Sequence, residues 1–296
     1  MLSGVSRLDY FIKEQENSVE LWSNARLPFE PKGWLREMRD SLKISLKSLK
    51  GSERSMLYAV YASEQKDFCD VENVLLYNVG SGAFSNLCRN GLSLERSFSA
   101  PPVIPGHTEK IPHYHCYQVI DVKQDLEHWK KIQTLAHWED ISFPVIQSNS
   151  KPHSFWYAMK KGKVHISNNL RKPNFFGIEL MINVPYGTRI NLAAVVKPLL
   201  DGIISSVHVH DGTNISLLSE RLSDLIGTDQ STAENMLMDS ATAVLGKINM
   251  LHPYRQGVQW SPADDLCMTV KILCKNSSTI SNTWRVSGEL FEIALI

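Results

Sequence analysis

An apolar strand, loop and helix in the second half of the chain constrain the fold more than any other feature. Residues 175–184, FFGIELMINV, form an almost unbroken apolar run of strand length. After the loop PYGTR, residues 192–206, LAAVVKPLLDGIISS, have the length of a helix and are apolar on nearly every side. Because such a strand and such a helix both need burial, the segment predicts a sheet that is covered by helices.

Further segments predict a mixed α+β fold. Strand-like runs occur at 55–62 (SMLYAVYA), 114–122 (YHCYQVIDV), 266–274 (LCMTVKILC) and 284–296 (WRVSGELFEIALI). Helical spacing of apolar residues predicts a helical region over 1–50 and a short helix over 125–138, and alternation around KKGK predicts a hairpin over 153–166. We therefore expect a mixed sheet with flanking helices.

The positions of prolines and glycines along the chain predict two halves that meet near residue 150. The first half, 1–150, contains the helical region, a strand–helix unit at 55–98 and a linker at 99–113 that holds four prolines. The second half, 151–296, carries two segments with helical periodicity, each ending at a glycine, which we interpret as a helical insertion at 215–245.

Composition argues against a membrane-spanning or disulfide-rich protein and gives no support to a strongly basic nucleic-acid binder. Lysine plus arginine equals aspartate plus glutamate at 31 each, so net charge gives no support to nucleic-acid binding. No apolar run reaches the roughly 18 residues that span a bilayer, which predicts no membrane segment. The five cysteines are scattered and form no C-x-x-C pair, which favours reduced thiols and a cytoplasmic location.

The C-terminal segments carry a family resemblance. GIELMINVPYGTR at 177–189 followed by INLAAVVKPLLDG at 190–202 looks like a strand, a basic loop and a helix, and QWSPADDLCMTVKILC with TWRVSGELFEIAL looks like two closing strands behind paired aspartates. In this order, residues 175–296 resemble RusA-type Holliday junction resolvases. The resemblance implies catalytic roles for Lys197, Asp201 and Asp265, with Asp264 as a neighbour of the third acid, and Arg189 as a nucleic-acid contact. Mg²⁺ is the cofactor that it implies.

The same resemblance also exposes a departure. Where the family places its first two carboxylates, this chain has Asn191 and Ala193, which supply neither the charge nor the oxygens that hold Mg²⁺. On this register the C-terminal copy is expected to be catalytically inactive.

A fainter copy lies over residues 55–122. MLYAVYASEQKDFCDVENVLLYN again gives a strand, a polar loop and the start of a helix, now with Asp70 and Glu72 at the spacing of the carboxylate pair. Here the lysine is missing, and only Glu95 stands near the place of the later acids. The two copies are interpreted as halves of a pseudodimer whose sites are decayed or divided, with Asp70 and Glu72 as surviving metal ligands.

These residues lead to one main functional hypothesis and two alternatives. The main hypothesis is a nucleic-acid-binding protein on a degenerate RusA-like nuclease scaffold, which binds structured DNA or RNA with weak or no cleavage. One alternative is an interaction subunit of a larger complex, phage defence being one open setting. The other is a metal-dependent hydrolase that uses His208, His210 and Asp211 of HVHD as ligands.

Several of these residues also have a purely structural interpretation. Asp70 and Glu72 also suit the first turn of a helix, where acids interact favourably with the helix dipole. Basic residues interleave with aromatics between 129 and 172, which indicates either a phosphate-binding face or a solvated hairpin with inward aromatics. The predicted nucleic-acid contacts in this stretch are Lys160, Lys161, Lys163, Arg171 and Lys172.

Overall fold

The fold is known from a computed structural model, which describes residues 8–52, 55–65, 69–108, 110–121, 127–167, 172–276 and 283–296. Before residue 150 the elements are β1 (Tyr10–Glu14), β2 (Ser18–Ser23), α1 (Trp34–Ser48), β3 (Ser55–Ala62), β4 (Gly91–Ser97), β5 (His113–Asp121) and β6 (Trp129–Phe143). Between β3 and β4 runs a helical segment that includes a π turn at Asn73–Tyr77 and a shorter 3-10 turn at Ser81–Ala83.

After residue 150 the chain contains four helices and eight strands within the described ranges. The elements are α2 (Pro152–Lys161), β7 (Val164–Ile166), β8 (Phe176–Val184), α3 (Leu192–Ser206), β9 (Val209–His210), α4 (Ile215–Ile226), α5 (Gln230–Met238), β10 (Lys247–Ile248), β11 (Leu251–Tyr254), β12 (Gly257–Trp260), β13 (Cys267–Asn276) and β14 (Trp284–Leu295). The mixed α+β class, with a large mixed sheet and flanking helices, is confirmed.

Ten strands form one mixed sheet in the order β1-β2-β5-β3-β4-β13-β8-β14-β6-β7. Strand β3 pairs in parallel with β4 and antiparallel with β5, and β8 pairs in parallel with β13 and antiparallel with β14. The pairing of β3, β4 and β5 is thus the same as that of β8, β13 and β14, although further helices and short strands lie between α3 and β13. The two sets of strands meet where β4 and β13 run antiparallel.

The main core lies between the sheet and the helices. Leu42 of α1, Leu75 of the helical segment and Leu199 of α3 belong to one cluster of buried side chains with strand residues such as Ile178 and Val270. Burial of α3 follows from its composition, since apolar residues surround it and twelve of its positions are buried. This packing brings α3 of the second half against the helical segment of the first.

Three predicted segments are wrong. Residues 10–23, within the predicted helical region 1–50, form the hairpin β1–β2, although α1 is helical as expected. Within the helix predicted over 125–138, residues 129–138 belong to strand β6, which pairs with β14 along most of its length, and residues 125 and 126 lie outside the described residues. The hairpin predicted over 153–166 is α2 followed by the short strand β7.

The predicted insertion, linker and division into halves can each be compared with the structure. The insertion at 215–245 is helical over α4 and α5 and continues in turns beyond Met238. The predicted linker has no regular secondary structure over its described residues 99–108 and 110–112. The division into halves at residue 150 stays a prediction, and the sheet runs unbroken across it through the pairing of β6 with β14. No helix within the described ranges is long and apolar enough to cross a bilayer.

Candidate metal centre

One lysine lies among four carboxylates where the two halves meet. Nζ of Lys197, in the middle of α3, is 3.2 Å from Asp70, 3.1 Å from Glu72, 2.9 Å from Asp201 and 2.5 Å from Asp264. Asp70 and Glu72 come from the first half, whereas Lys197, Asp201 and Asp264 come from the second. Residues that the sequence distributes over two incomplete sites thus form one cluster.

Local structure places each acid. Asp70 and Glu72 lie at the start of the helical segment that follows β3, and the Asn73 amide donates a hydrogen bond to Oδ2 of Asp70. Asp201 lies one turn after Lys197 on the same face of α3. Asp264 begins a 3-10 turn just before β13, which is the strand paired with β4 at the centre of the sheet.

Burial sets the electrostatics of the cluster. Loss of solvent raises the pKa of Glu72 to about 7 and that of Asp264 to about 8, despite the opposing charge of Lys197. Burial also raises the pKa of Asp201. Burial by itself disfavours a charged lysine, but the carboxylates, Glu72 foremost, outweigh it and raise the pKa of Lys197. The cluster therefore holds a positively charged ammonium among acids that bind protons unusually well.

The cluster has more acceptor oxygens than one lysine can satisfy. An ammonium has three N–H donors, and that of Lys197 hydrogen-bonds Asp70 and Asp264. Oε1 of Glu72 and Oδ1 of Asp201 are buried within ion-pair distance of Nζ, and neither atom has a well-aligned hydrogen-bond donor within the part of the chain that the structure describes. Glu72 as a residue is 1% exposed, so solvent does not compensate its oxygen.

Three of the four acids could hold a hard divalent cation. Asp70, Glu72 and Asp264 each offer one oxygen, and the three oxygens lie within 4.8 Å of one another. They are the single group of three or more such ligands among the residues that the structure describes. A donor set made only of carboxylate oxygens suits Mg²⁺ or Mn²⁺ rather than zinc. Lys197 would keep Asp201 as a counter-charge if the other three acids held a cation.

The third acid of the cluster is Asp264 rather than Asp265. Asp264 is buried and contacts Lys197 directly, whereas Asp265 is partly buried and makes no ion pair with it. Burial and the nearby charge of Asp70 raise the pKa of Asp265, so it lies close to the cluster without joining it. The 3-10 turn at Asp264–Leu266 decides which of the two acids points inward.

The corresponding positions of the opposite copy do not make a second centre. Asn191 caps α3 from an extended conformation and leaves its buried Oδ1 without a hydrogen bond, and Ala193 is buried in the first turn. The helical segment Asn73–Tyr77 has no basic residue. Glu95, on β4, accepts hydrogen bonds from the backbone amides of Glu127 and His128 and from the Tyr58 hydroxyl.

The polar residues of the HVHD segment make hydrogen bonds within the fold. His208 is buried with Nδ1 3.1 Å from the Gly246 carbonyl, and burial lowers its pKa to about 4. His210 on β9 accepts from the Gly212 amide and contacts the Leu251 carbonyl. Asp211 accepts from the Thr213 amide in a turn. Within the described ranges, these three residues gain no further ligand that would complete a metal site.

The predicted nucleic-acid contacts differ in their exposure. Lys160 has a largely buried side chain that faces Thr242 and Asp239, so it does not present its charge to a ligand. Lys161, which lies over the Tyr157 ring, is exposed, as are Lys163, Lys172 and Arg189. Arg171 lies outside the described residues. Trp129, Trp138 and Trp156 are buried and offer no stacking surface.

The sequence did not indicate Asn73 as the partner of Asp70, and it gave the catalytic role to Asp265, whereas Asp264 is the acid that contacts Lys197; the role of Asp265 stays a prediction. The available signal was complementarity, since one copy has the acid pair without a lysine and the other has the lysine without the pair.

A scan against protein-family models, a search of curated proteins and a search of solved structures each found no match for this chain.

Proposed function

We propose that this protein is a divalent-metal-dependent phosphodiester hydrolase that acts on nucleic acid through one composite site. The observation that carries the proposal is the position of Lys197, whose Nζ lies within 3.2 Å of carboxylates from both halves. In this proposal the two copies are complementary parts of a single centre, which replaces the expectation of a degenerate scaffold. The RusA-like resemblance belongs to the proposal as a second support.

Each residue then has a chemical role. Asp70, Glu72 and Asp264 would hold the cation, which when bound supplies positive charge to the phosphate oxygens and acidifies a bound water. In hydrolysis a water oxygen forms a bond to phosphorus, one phosphorus–oxygen ester bond breaks, and the leaving oxygen takes up a proton. Lys197 is placed to stabilise the negative charge that develops on the phosphate, and Asp201 holds its ammonium in position.

Nucleic acid is favoured as the substrate by the loop that leads into the centre. Residues 185–189, PYGTR, connect β8 to α3 and expose both Tyr186 and Arg189. An exposed arginine beside an exposed aromatic suits phosphate and base contacts. Because the described residues form a single candidate centre, we expect one strand to be cut in each encounter.

The two neighbouring aspartates provide a matched test. Purified protein is incubated with Mg²⁺ or Mn²⁺ and labelled four-way junction, duplex or single-stranded DNA and RNA. We expect Asp264→Asn and Glu72→Gln to lower cleavage at least 100-fold, and Asp265→Asn to lower it less than tenfold, because removal of a ligand impairs the cation and its water.

Two results would contradict the proposal. One is the absence of cleavage of every substrate with either metal. The other is cleavage that survives Glu72→Gln and Asp264→Asn, because the activity would then come from elsewhere in the chain or from a contaminant.

A further inference from the structure

We infer that a polar cavity beside the metal centre binds an unpaired nucleotide of the substrate strand. The inference rests on the proposed function and specifies its substrate class as single-stranded or splayed nucleic acid. The cavity has a volume of about 610 Å³, within the range of small-ligand sites. Its lining includes Arg26, Phe29, Tyr61, Gln65, Asn78 and His113.

Charge in the cavity favours an anionic ligand. Arg26 is the charged residue among those that line it, and the described lining contains no acidic side chain. Arg26 is exposed, so its guanidinium is accessible to a phosphate. A larger cavity of about 720 Å³ near α2 lacks this property, because Glu139 and Asp140 line it together with its lysines.

Two aromatic rings form a platform at the edge of the cavity. Phe29 and Tyr77 lie parallel within 5°, with ring centroids 5.3 Å apart. Their residues are 58% and 52% exposed, although burial normally stabilises rings of this size. An exposed aromatic face is the surface on which unpaired bases stack, whatever their sequence.

Polar groups inside the cavity are positioned for a base edge. The Tyr61 hydroxyl and Nδ1 of His113 lie 2.7 Å apart, and both residues are buried. The Asn78 amide donates to the Leu27 carbonyl at 2.8 Å, which fixes one wall. Gln65 adds an exposed amide at the opening. Such pre-positioned donors and acceptors suit a heterocycle better than a purely apolar ligand.

The cavity and the metal centre share one helical segment. Asp70 and Glu72 lie at its start, and Tyr77 and Asn78 lie at its end, five to eight residues further along the chain. Arg26 lies beside the thiol of Cys69, the residue before Asp70. A nucleotide in the cavity would therefore place a neighbouring phosphate of the same strand towards the acids.

The test measures binding without metal. Fluorescence anisotropy in EDTA compares a labelled single-stranded oligonucleotide with the same sequence as a duplex, and unlabelled AMP and inorganic phosphate serve as competitors. We expect the single strand to bind at least tenfold more tightly than the duplex. AMP should compete at higher concentration than the oligonucleotide, and phosphate should compete still more weakly.

Matched variants locate the binding. Phe29→Ala, Tyr77→Ala and Arg26→Ala should each weaken single-strand binding on the order of tenfold. Tyr254→Ala is the control, because Tyr254 is 51% exposed and also lies beside an arginine, Arg255, but is on β11. All variants are at exposed positions, and thermal unfolding checks that each remains folded.

The outcomes separate the inference from the proposed function. Binding that is unchanged by the three cavity variants, equal binding of duplex, or AMP binding tighter than oligonucleotide binding would overturn the inference while leaving metal-dependent cleavage intact. Binding that depends on the cavity together with no cleavage by any metal would support the nucleotide site and contradict the proposed hydrolase.

Discussion

A largely buried group of four acids around one lysine lowers the free energy of unfolding unless the charges compensate one another. Glu72, Asp201 and Asp264 are buried, and two of the oxygens around Lys197 lack a hydrogen bond. Uncompensated buried charge normally costs several kcal/mol, so such a cluster serves stability poorly. It is the arrangement expected where side chains hold a cation and act on a substrate.

Replacing Lys197 tests the electrostatics of the site. Lys197→Met keeps an unbranched apolar stem but removes the counter-charge of four acids. We expect a loss of about 3–5 kcal/mol in the free energy of unfolding at pH 8.5, where the acids must ionise without a partner. At pH 6 the loss should be smaller, because Glu72 and Asp264, with pKa values raised by burial to about 7 and about 8, remain protonated.

Urea unfolding at the two pH values measures this difference, with and without Mn²⁺. Lys161→Met is the control, since Lys161 is exposed and its loss should change stability by no more than about 0.5 kcal/mol. A loss that is equal at both pH values would contradict the electrostatic account.

Metal affinity should depend on pH in a defined direction. A cation binds deprotonated carboxylates, and burial keeps protons on Glu72 up to a pKa of about 7 and on Asp264 up to about 8. Binding must displace both protons, so Mn²⁺ affinity should rise about 50-fold from pH 6 to pH 7 and about tenfold from pH 7 to pH 8. Calorimetry at pH 6, 7 and 8 measures the slope, and an affinity that does not change over this range would contradict the assignment.

At the scale of elements, segments with one dominant pattern were predictable. Strands β3, β8, β13 and β14 and helix α3 follow from apolar runs whose length and flanking turns allow few alternatives. Helix α3 even tolerates Pro198 in its interior. These elements lie near the centre of the sheet or directly against it, where burial on all sides makes the sequence signal strong.

Segments with competing signals were predicted wrongly for physical reasons. In β6 the apolar residues Trp129, Ile132, Leu135 and Trp138 repeat every three positions, which imitates a helix, but pairing with β14 and its bulges determines the structure. In α2 the aromatic run is typical of a strand. Burial of Phe155, Trp156 and Met159 instead follows helical spacing, and Pro152 at the first turn favours helix initiation.

Close packing of α3 on α2 gives a prediction at the same scale. A Cβ added at Gly202 would lie 2.6 Å from the Pro152 carbonyl oxygen and 2.7 Å from Cβ of Phe155. Although alanine favours helix more than glycine does, Gly202→Ala should lower the free energy of unfolding by about 1–3 kcal/mol through overpacking. Gly82→Ala, with open space at its Cβ, is the control. Denaturant unfolding decides, and a Gly202→Ala protein as stable as the wild type would contradict the packing.

At the scale of the whole molecule, the site arises from the way two similar units meet. Periodicity predicts that β3 and β8 each lead into a helical segment, but it carries no information about which helix faces which. The contact of α3 with the segment after β3 depends on the β4–β13 pairing, which joins residues about 180 positions apart. The sequence therefore indicated the members Asp70, Glu72, Lys197 and Asp201 without indicating that they share one centre.

The continuous sheet predicts that the chain unfolds as one unit. Strands β4 and β13 pair at the centre, and β6 of the first half pairs with β14 of the second, so both halves contribute strands to the one ten-stranded sheet, beside which β9–β10 and β11–β12 are only two-stranded. We expect tryptophan fluorescence and far-ultraviolet circular dichroism to give coincident urea transitions, since no boundary separates two cores. Two resolved transitions would instead support independent halves that meet near residue 150.

The most direct measurement is the stoichiometry and residue dependence of Mn²⁺ binding by calorimetry at pH 8. A composite centre predicts one ion per chain, with affinity reduced at least tenfold by Glu72→Gln from the first half and equally by Asp264→Asn from the second. Two ions per chain, or tight binding that survives either substitution, would show that the halves do not build a shared metal centre.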